Sequence, residues 1–258
     1  MSQQAMAPAA PAEAPAQQQT ASIERVLELL RKGRIKLEGL LPYSSNYTFL
    51  ATIRQADLQC LAVYKPQRGE RPLWDFRRGT LCLREYATFL VSASLGWIFV
   101  PPTVLRRGPH GIGAVQLFVD TVPDGNFFTL REQNTHTFQR LCAFDYVINN
   151  ADRKGGHCLL SQDGHIWAID HGITFHAEFK LRTVIWDWTG EPLPEDIVAD
   201  LKRLRTTLAA DNELTASLGR LLQDDEIAAL RQRLDTLLDM GVFPEPSPAL
   251  PNVPWPLL

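Results

Sequence analysis

The spacing of apolar residues along the chain alternates between helical and strand periods. IERVLELLRKG places them at 23, 26, 27, 29 and 30 and ends on Gly33, which predicts a short amphipathic helix closed by a glycine. YTFLATIR (47–54) and LQCLAVYK (58–65) are aromatic, β-branched and aliphatic, with a short polar turn at 55–57 between them; they predict an antiparallel hairpin. TLCLREYATFLVSASLG (80–96) returns to helical spacing and stops at Gly96. Pro101 and Pro102 break the chain, and PTVLRRG and GAVQLFVD predict two more strands around a Gly-Pro-His-Gly turn.

The second half is more helical. NTHTFQRLCAFDYVINN (134–150) predicts a long amphipathic helix running into the loop DRKGGH. HCLLS and HIWAID flank a turn at 162–164 and predict a short hairpin with Asp170 at its far end. From 195 onward, EDIVADLKRLRTTLAA, ELTASLGRLL and DDEIAALRQRLDTLLDM predict three helices. Residues 1–20 are Ala, Pro and Gln with almost no large apolar side chains, so they cannot offset their ordering entropy and predict a disordered tail. Residues 243–256 hold six prolines and predict an extended tail through 258. The division that follows is 22–120, rich in strands, and 121–242, mainly helical.

Composition narrows the function. With 258 residues, 45% hydrophobic and 21% charged, the chain can bury a large core as one bilobal domain or two small ones. Its net charge of -3 argues against a general nucleic-acid partner, and the basic runs at 31–36, 77–78 and 106–107 read as solvated surface. Cys60, Cys82, Cys142 and Cys158 are widely spaced with no CxxC. They read as core residues of a protein in a reducing compartment. No basic-then-apolar leader and no apolar stretch of about 18 residues is present, so neither a signal peptide nor a membrane span is expected and the expectation is cytoplasmic.

The chemistry concentrates in NNADRKGGH (149–157) and AIDHG (168–172). Asp152 precedes a possible metal ligand, His157, by five positions, and Asp170 follows an apolar run in Asp-X-Gly. Phosphoryl transfer needs two such separated carboxylates, one to orient the attacking hydroxyl and one to hold the metal that neutralises the triphosphate. Arg153 and Lys154 are candidates to stabilise charge on the transferring group, and Gly155 and Gly156 to let the backbone approach the nucleotide. Lys65, at the end of a predicted strand in AVYKP, is a candidate for the phosphates, with Glu85 or Asp75 as its ion-pair partner. The turn LLPYSSNYTFL lacks G-x-G-x-x-G, yet Ser44, Ser45 and Asn46 can form an anion nest over the phosphates. His157 stands where a kinase loop carries Asn. Imidazole is a softer donor than an amide oxygen, which leaves open metal ligation, phosphate contact or a lost role. His165, His171 and His176 lack zinc-site spacing.

At these residues the chain resembles the phosphatidylinositol 3- and 4-kinase catalytic superfamily, including HipA-like bacterial kinases. It departs from the superfamily's D-R-H-x-x-N at Lys154 and His157. It is more closely similar to a mostly actinobacterial kinase-like family through YKPQRGERPLWDF, GWIFVPPTVLR, INNADRKGGH, IDHGITFH and KLRTVIWDWTGEPLP, covering roughly residues 34–195. The resemblance implies an α+β, bilobal, protein-kinase-like fold with a small β-rich N-lobe and a mainly helical C-lobe. It implies ATP between the lobes and Mg2+ or Mn2+ as cofactor. Residue by residue it implies Lys65 on the phosphates, the backbone of Gln116, Leu117, Phe118 and Val119 at the adenine, Asp152 as the catalytic group, and His157 and Asp170 at the metal. It does not transfer a lipid substrate, since no basic or amphipathic membrane-contact helix is evident; the expected acceptor is a hydroxyl of a protein, lipid or small molecule, with a protein or small molecule favoured over a lipid.

General kinase chemistry leaves two segments without a role, 68–80 (RGERPLWDFRRGT) and 176–194 (HAEFKLRTVIWDWTGEPLP). They are expected to face each other across the cleft mouth and form the acceptor site, with Arg71 and Trp186 as its test positions; a Trp-Arg packing surface is the alternative. Two rival readings remain: a nucleotide-binding pseudokinase, and a metal-dependent hydrolase or nucleotidyl transferase.

Overall fold

The computed structural model describes residues 22–42, 46–249 and 251–258. The first helix, α1 (Ile23–Lys32), starts at Ser22, whose side chain accepts the Arg25 N–H, and buries Leu29 and Leu30. It packs on a five-stranded antiparallel sheet made of β1 (Arg34–Leu40), β2 (Phe49–Gln55), β3 (Leu58–Pro66), β4 (Thr103–Gly108) and β5 (Gly111–Leu117), in the order β1-β2-β3-β5-β4. Leu29, Leu30, Ala51, Ile53, Ala62, Tyr64, Val104 and Val115 form one compact core between helix and sheet. The hairpin turn sits at 56–57, where Ala56 takes a positive φ of 52°.

Helix α2 (Leu81–Leu95) lies between β3 and β4 in sequence and closes on Gly96 in the left-handed conformation. Its buried residues Ala87, Phe89, Val91 and Leu95 belong to a second, larger core. That core gathers α3 (Phe127–Leu130), α4 (Thr135–Val147), the hairpin β6 (Cys158–Leu160) and β7 (Ile166–Ala168), α5 (Glu195–Ala209), α6 (Glu213–Leu221) and α7 (Asp224–Met240). The architecture is α+β and kinase-like, a small sheet beside a mainly helical region. Helix α2 ties the two together. Arg84 on its buried face pairs with Glu226 at the start of α7 and donates to the Thr174 carbonyl.

Three elements differ from the sequence pattern. RIKLEGL is a strand although it alternates charged and apolar residues; it lies at the sheet edge, half exposed, with a register shift at Leu37/Gly39. Helix α4 stops at Val147 rather than 150 because Asn149 turns to φ 53°. The described residues of 242–258 contain no helix or strand, as a proline-rich tail should, but they are packed. Phe243 is fully buried, Gly155 N–H donates to the Leu257 carbonyl at 2.7 Å, and Thr183 N–H donates to Asn252 at 3.0 Å. The tail predicted at 1–20 and the nest residues Ser44 and Ser45 fall outside the described residues. Among the described residues, no helix is long and apolar enough to cross a membrane.

Candidate active site

Strand β3 carries Lys65 to the floor of the cleft. Its ammonium lies 2.5 Å from Glu85 Oε1 on α2 and 2.7 Å from Asp170 Oδ1 just beyond β7. Glu85 is therefore its helix partner, and Asp75 is not: Asp75 pairs with Lys180 at 3.1 Å. Burial alone would pull Lys65 down, but Asp170 and Glu85 outweigh it and raise its pKa, so the lysine is charged. The Lys65 ammonium in turn holds Asp170 well below the usual carboxylate range, against the effect of burial and aided by His157. Asp170 still leaves 49% of its side-chain surface open to the cleft. Glu85 Oε2 is buried with no hydrogen-bond partner among the described residues, which leaves spare acceptor capacity beside the cavity it lines.

The catalytic-loop candidates divide into two groups. Asp152 faces the cleft, with Lys154 Nζ 3.2 Å from its Oδ2. Burial raises its carboxyl pKa, and Lys154 acts in the opposite direction without cancelling the shift. A more basic carboxylate is better suited to taking a proton. His157 Nε2 lies 3.5 Å from Asp170 Oδ2, while its Nδ1 accepts the Lys154 N–H at 3.4 Å. Burial lowers the His157 pKa to about 4; Asp170 opposes this, and Arg153, Lys154 and Lys65 add to it. The imidazole is therefore neutral at physiological pH.

Arg153 does not reach the cleft. It is fully buried, pairs with Asp145 through Nε at 2.9 Å and Nη2 at 3.1 Å, and donates to the Ile169 carbonyl at 3.0 Å. Its Nη2 also meets His171 Nε2 at 2.6 Å, so His171 accepts there. The expected role on the transferring phosphoryl group gives way to a structural one: Arg153 bolts the catalytic loop to α4 and to the chain carrying Asp170. Gly155 needs another account as well. A Cβ on Gly155 would stand 2.5 Å from the Phe128 ring, whereas one on Gly156 meets nothing closer than 3.7 Å. Close approach of Phe128 requires the first glycine.

One cavity of about 210 Å3 is lined by Asn46, Lys65, Glu70, Glu85, Asp152, Lys154, His157 and Asp170 among others. A second, of about 260 Å3, lies on the far side of Lys65 and is walled by Leu41, Pro42, Val63, Gln116, Leu117, Phe118, Val119, Leu159 and Ile169. A polar cavity and a mostly apolar one share Lys65 and Asp170. Gln116 contributes only backbone and edge, because its side chain donates to Thr103 Oγ1 at 2.9 Å. Asn46 lines the polar cavity, but its Oδ1 accepts the Arg71 N–H at 2.7 Å, so it anchors the following loop.

The phosphatidylinositol 3- and 4-kinase family matches residues 107–201. Protein Rv2133c of Mycobacterium tuberculosis is 39% identical over 88% of this chain and 94% of its own length. The chain belongs to the family of that protein, within the phosphatidylinositol 3-/4-kinase-like superfamily. Phosphatidylinositol 4-kinase gamma 4 of Oryza sativa subsp. japonica is 30% identical over 55% of this chain; the match spans only 30% of that larger protein. Among solved structures, the Golgi casein kinase (TM-score 0.50, 18% identity, 84% of this chain and 74% of that one) and the Helicobacter pylori proinflammatory kinase CtkA (0.51, 13%, 83% and 94%) share the fold.

Sequence reasoning missed the residues of this chain that lie behind the loop and hold it. Asp145, two residues before the end of α4, holds both Arg153 and Asn150 Nδ2. Asn149 donates to the carbonyls of His176 and Glu178 and accepts the Lys180 N–H, so it grips the segment after Asp170. The asparagine pair in NNADRK was the available signal. The segments 68–80 and 176–194 do meet, through Asp75–Lys180, an edge contact of Phe76 with His176, and His176 Nε2 at 2.9 Å from the Asp75 carbonyl. Trp186 is not part of that meeting; its indole N–H donates to Asn252 of the tail.

Proposed function

We propose that this protein is an ATP-dependent phosphotransferase, an atypical kinase that moves the γ-phosphoryl group of ATP to a hydroxyl. The observation that carries the reading is the convergence of Lys65, Glu85, Asp152, His157 and Asp170 on one cavity beside an apolar pocket. In this reading the backbone of 116–119 receives the adenine and Lys65 the phosphates. The acceptor oxygen forms a bond to the γ-phosphorus as the bond to the β–γ bridging oxygen breaks and ADP departs. Asp152 takes the acceptor's proton, and Lys154, beside it, offsets negative charge on the phosphoryl oxygens.

The donor set also fits a divalent cation. Asp170 and His157 would hold Mg2+ or Mn2+, which would neutralise the triphosphate. Among the described residues, no cluster of three or more His, Cys, Asp or Glu is arranged to hold a metal ion, as suits a cation that takes its other ligands from phosphate and water. An imidazole ligand shifts preference from Mg2+ toward Mn2+. We further place the lobe division near residue 120 and the protein in a reducing, cytoplasmic setting, in keeping with its four free cysteines.

One observation favours the pseudokinase reading. With Nδ1 of His157 accepting a backbone N–H, the neutral ring carries its proton on Nε2, toward Asp170, and offers a metal no lone pair there. Incubation with γ-labelled ATP and either cation separates the readings. Label on protein or added acceptor, lost at least about 100-fold in Asp152→Asn, supports the kinase. Nucleotide binding with no transfer under either cation would sink it in favour of the pseudokinase.

A further inference from the structure

The connection from β3 to α2 is built rather than loose. Gln67 Nε2 donates to the Gly79 carbonyl at 2.6 Å and closes the loop on itself. Arg71 N–H is held by Asn46, and Glu70 Oε1 accepts the Cys82 N–H at 2.9 Å, in the first turn of α2. Phe76 is buried beneath the Arg84 guanidinium at 4.9 Å, and Asp75 is fixed to Lys180. A loop pinned at both ends and in its middle holds a fixed shape.

That shape presents an unusual surface. Trp74 is 93% exposed, although its neighbour Phe76 is buried. Lys180 Nζ stands 5.4 Å from the Trp74 ring centre. Arg68, Arg71, Arg77 and Arg78 are exposed, and among the described residues none of their guanidinium groups has an ion-pair partner. Arg71, Arg77 and Arg78 line a cleft of about 110 Å3 that shares Glu70 and Leu81 with the polar cavity holding Asp152. In a chain of net charge -3, this local excess of unpaired cations stands out. An indole kept in water, on a rigid loop that also carries exposed arginines, has the residue chemistry of an interaction hot spot.

We infer that Arg71, Arg77 and Arg78, with Trp74, dock an acidic polypeptide segment that carries the acceptor hydroxyl into the Asp152 cavity. The inference deepens the phosphotransferase reading and rests on it. Charge complementarity sets the partner's sign. A polypeptide fits better than a bilayer because the surface offers a single indole among cations, with Phe76 turned inward, and so no contiguous apolar face to insert. Planar guanidinium groups suit carboxylates spaced along a chain.

The test uses the full chain and three fluorescent peptides, each with one serine flanked by Glu, Gln or Lys, with binding read by anisotropy and nucleotide binding measured in parallel as a check on folding. The Glu peptide is expected to bind at least about 10-fold tighter than the Gln peptide at low salt, with the advantage shrinking as salt rises. Arg77→Glu/Arg78→Glu should lose about 10-fold or more for the Glu peptide and keep nucleotide binding. If the double charge reversal loses nucleotide binding, the milder Arg78→Gln and Trp74→Ala carry the test, each with a several-fold loss expected. Equal affinity for the three peptides, or unchanged affinity in variants that bind nucleotide, overturns the inference. So does binding of wild-type protein to phosphatidylserine vesicles without binding of the Glu peptide. Glu-peptide binding with no label transferred from ATP supports the docking surface and counts against the phosphotransferase reading alone.

Discussion

Two charge networks sit a few residues apart in this protein and do opposite things. Lys65, Glu85 and Asp170 meet at an open cavity, with half of the Asp170 side chain accessible and one Glu85 oxygen unused. Arg153, Asp145 and His171 meet in the sealed core, all fully buried, with the carboxylate and guanidinium spent on each other and on backbone. The first network retains capacity that a ligand can take up. The second keeps only His171 Nδ1 without a partner among the described residues, sealed from the cleft, and it fixes the geometry of the first. Both draw on the same two motifs, and neighbours in sequence, Asp152 and Arg153 or Asp170 and His171, fall on opposite sides of the division.

Substitution breaks the comparison most sharply in the sealed network. Arg153→Leu leaves Asp145 as a buried carboxylate without its countercharge and should cost about 3–5 kcal/mol, read as a lowered denaturation midpoint with an unchanged denaturant slope. Asp170→Ala removes a half-exposed carboxylate and leaves Lys65 paired with Glu85. Its stability should change by no more than about 1 kcal/mol, while label transfer falls at least about 100-fold. Equal destabilisation by the two variants would erase the distinction.

Acid sharpens the comparison through the histidines. Both His157 and His171 are held neutral, first by burial. For His157 the folded value is about 4 against an ordinary 6.5. Between those values the unfolded chain binds the extra proton, so stability rises with pH across the window and is lost as pH falls from about 6.5 to 4. The shift corresponds to up to about 3 kcal/mol. In metal-free buffer, His157→Asn should flatten that part of the stability–pH curve, and His171 should leave a residual slope of the same sign. Asp170 titrates below this window, and the raised Asp152 opposes the trend at its acid end. A curve as steep in His157→Asn as in wild type would show that cleft burial does not control the ring.

How much of this was legible in the sequence depended on range. The Asp152–His157 interval and the Asp170 strand end were readable because each is a local spacing on one loop or one strand. The Lys65–Glu85 pair was readable because an end-of-strand lysine and a mid-helix glutamate are standard positions for that contact. Strand β1 was not, since RIKLEGL is an edge strand whose side chains are all at least partly exposed, and its charges mask the alternation. Helix α3 is four residues long and is specified by the Asn126–Thr129 capping box rather than by any apolar period. The role of Arg153 was misread because nothing in DRKGGH says which basic side chain turns inward. The answer lies in Asp145, on the preceding helix, whose carboxylate needs a buried partner.

The glycine pair gives the smallest and most local test of the same division. In sequence, Gly155 and Gly156 are indistinguishable. In the fold, a methyl at 155 would drive into the Phe128 ring at 2.5 Å and crowd Leu258, while at 156 it has ordinary room. Gly155→Ala should therefore cost about 1–3 kcal/mol through overpacking, and Gly156→Ala well under 1 kcal/mol. If the glycines instead served the nucleotide, Gly156→Ala would weaken nucleotide binding without touching stability. Measured side by side, thermal midpoint and nucleotide affinity decide whether Gly156 belongs to the cleft and whether Gly155, as its contact with Phe128 indicates, belongs to the packing behind it.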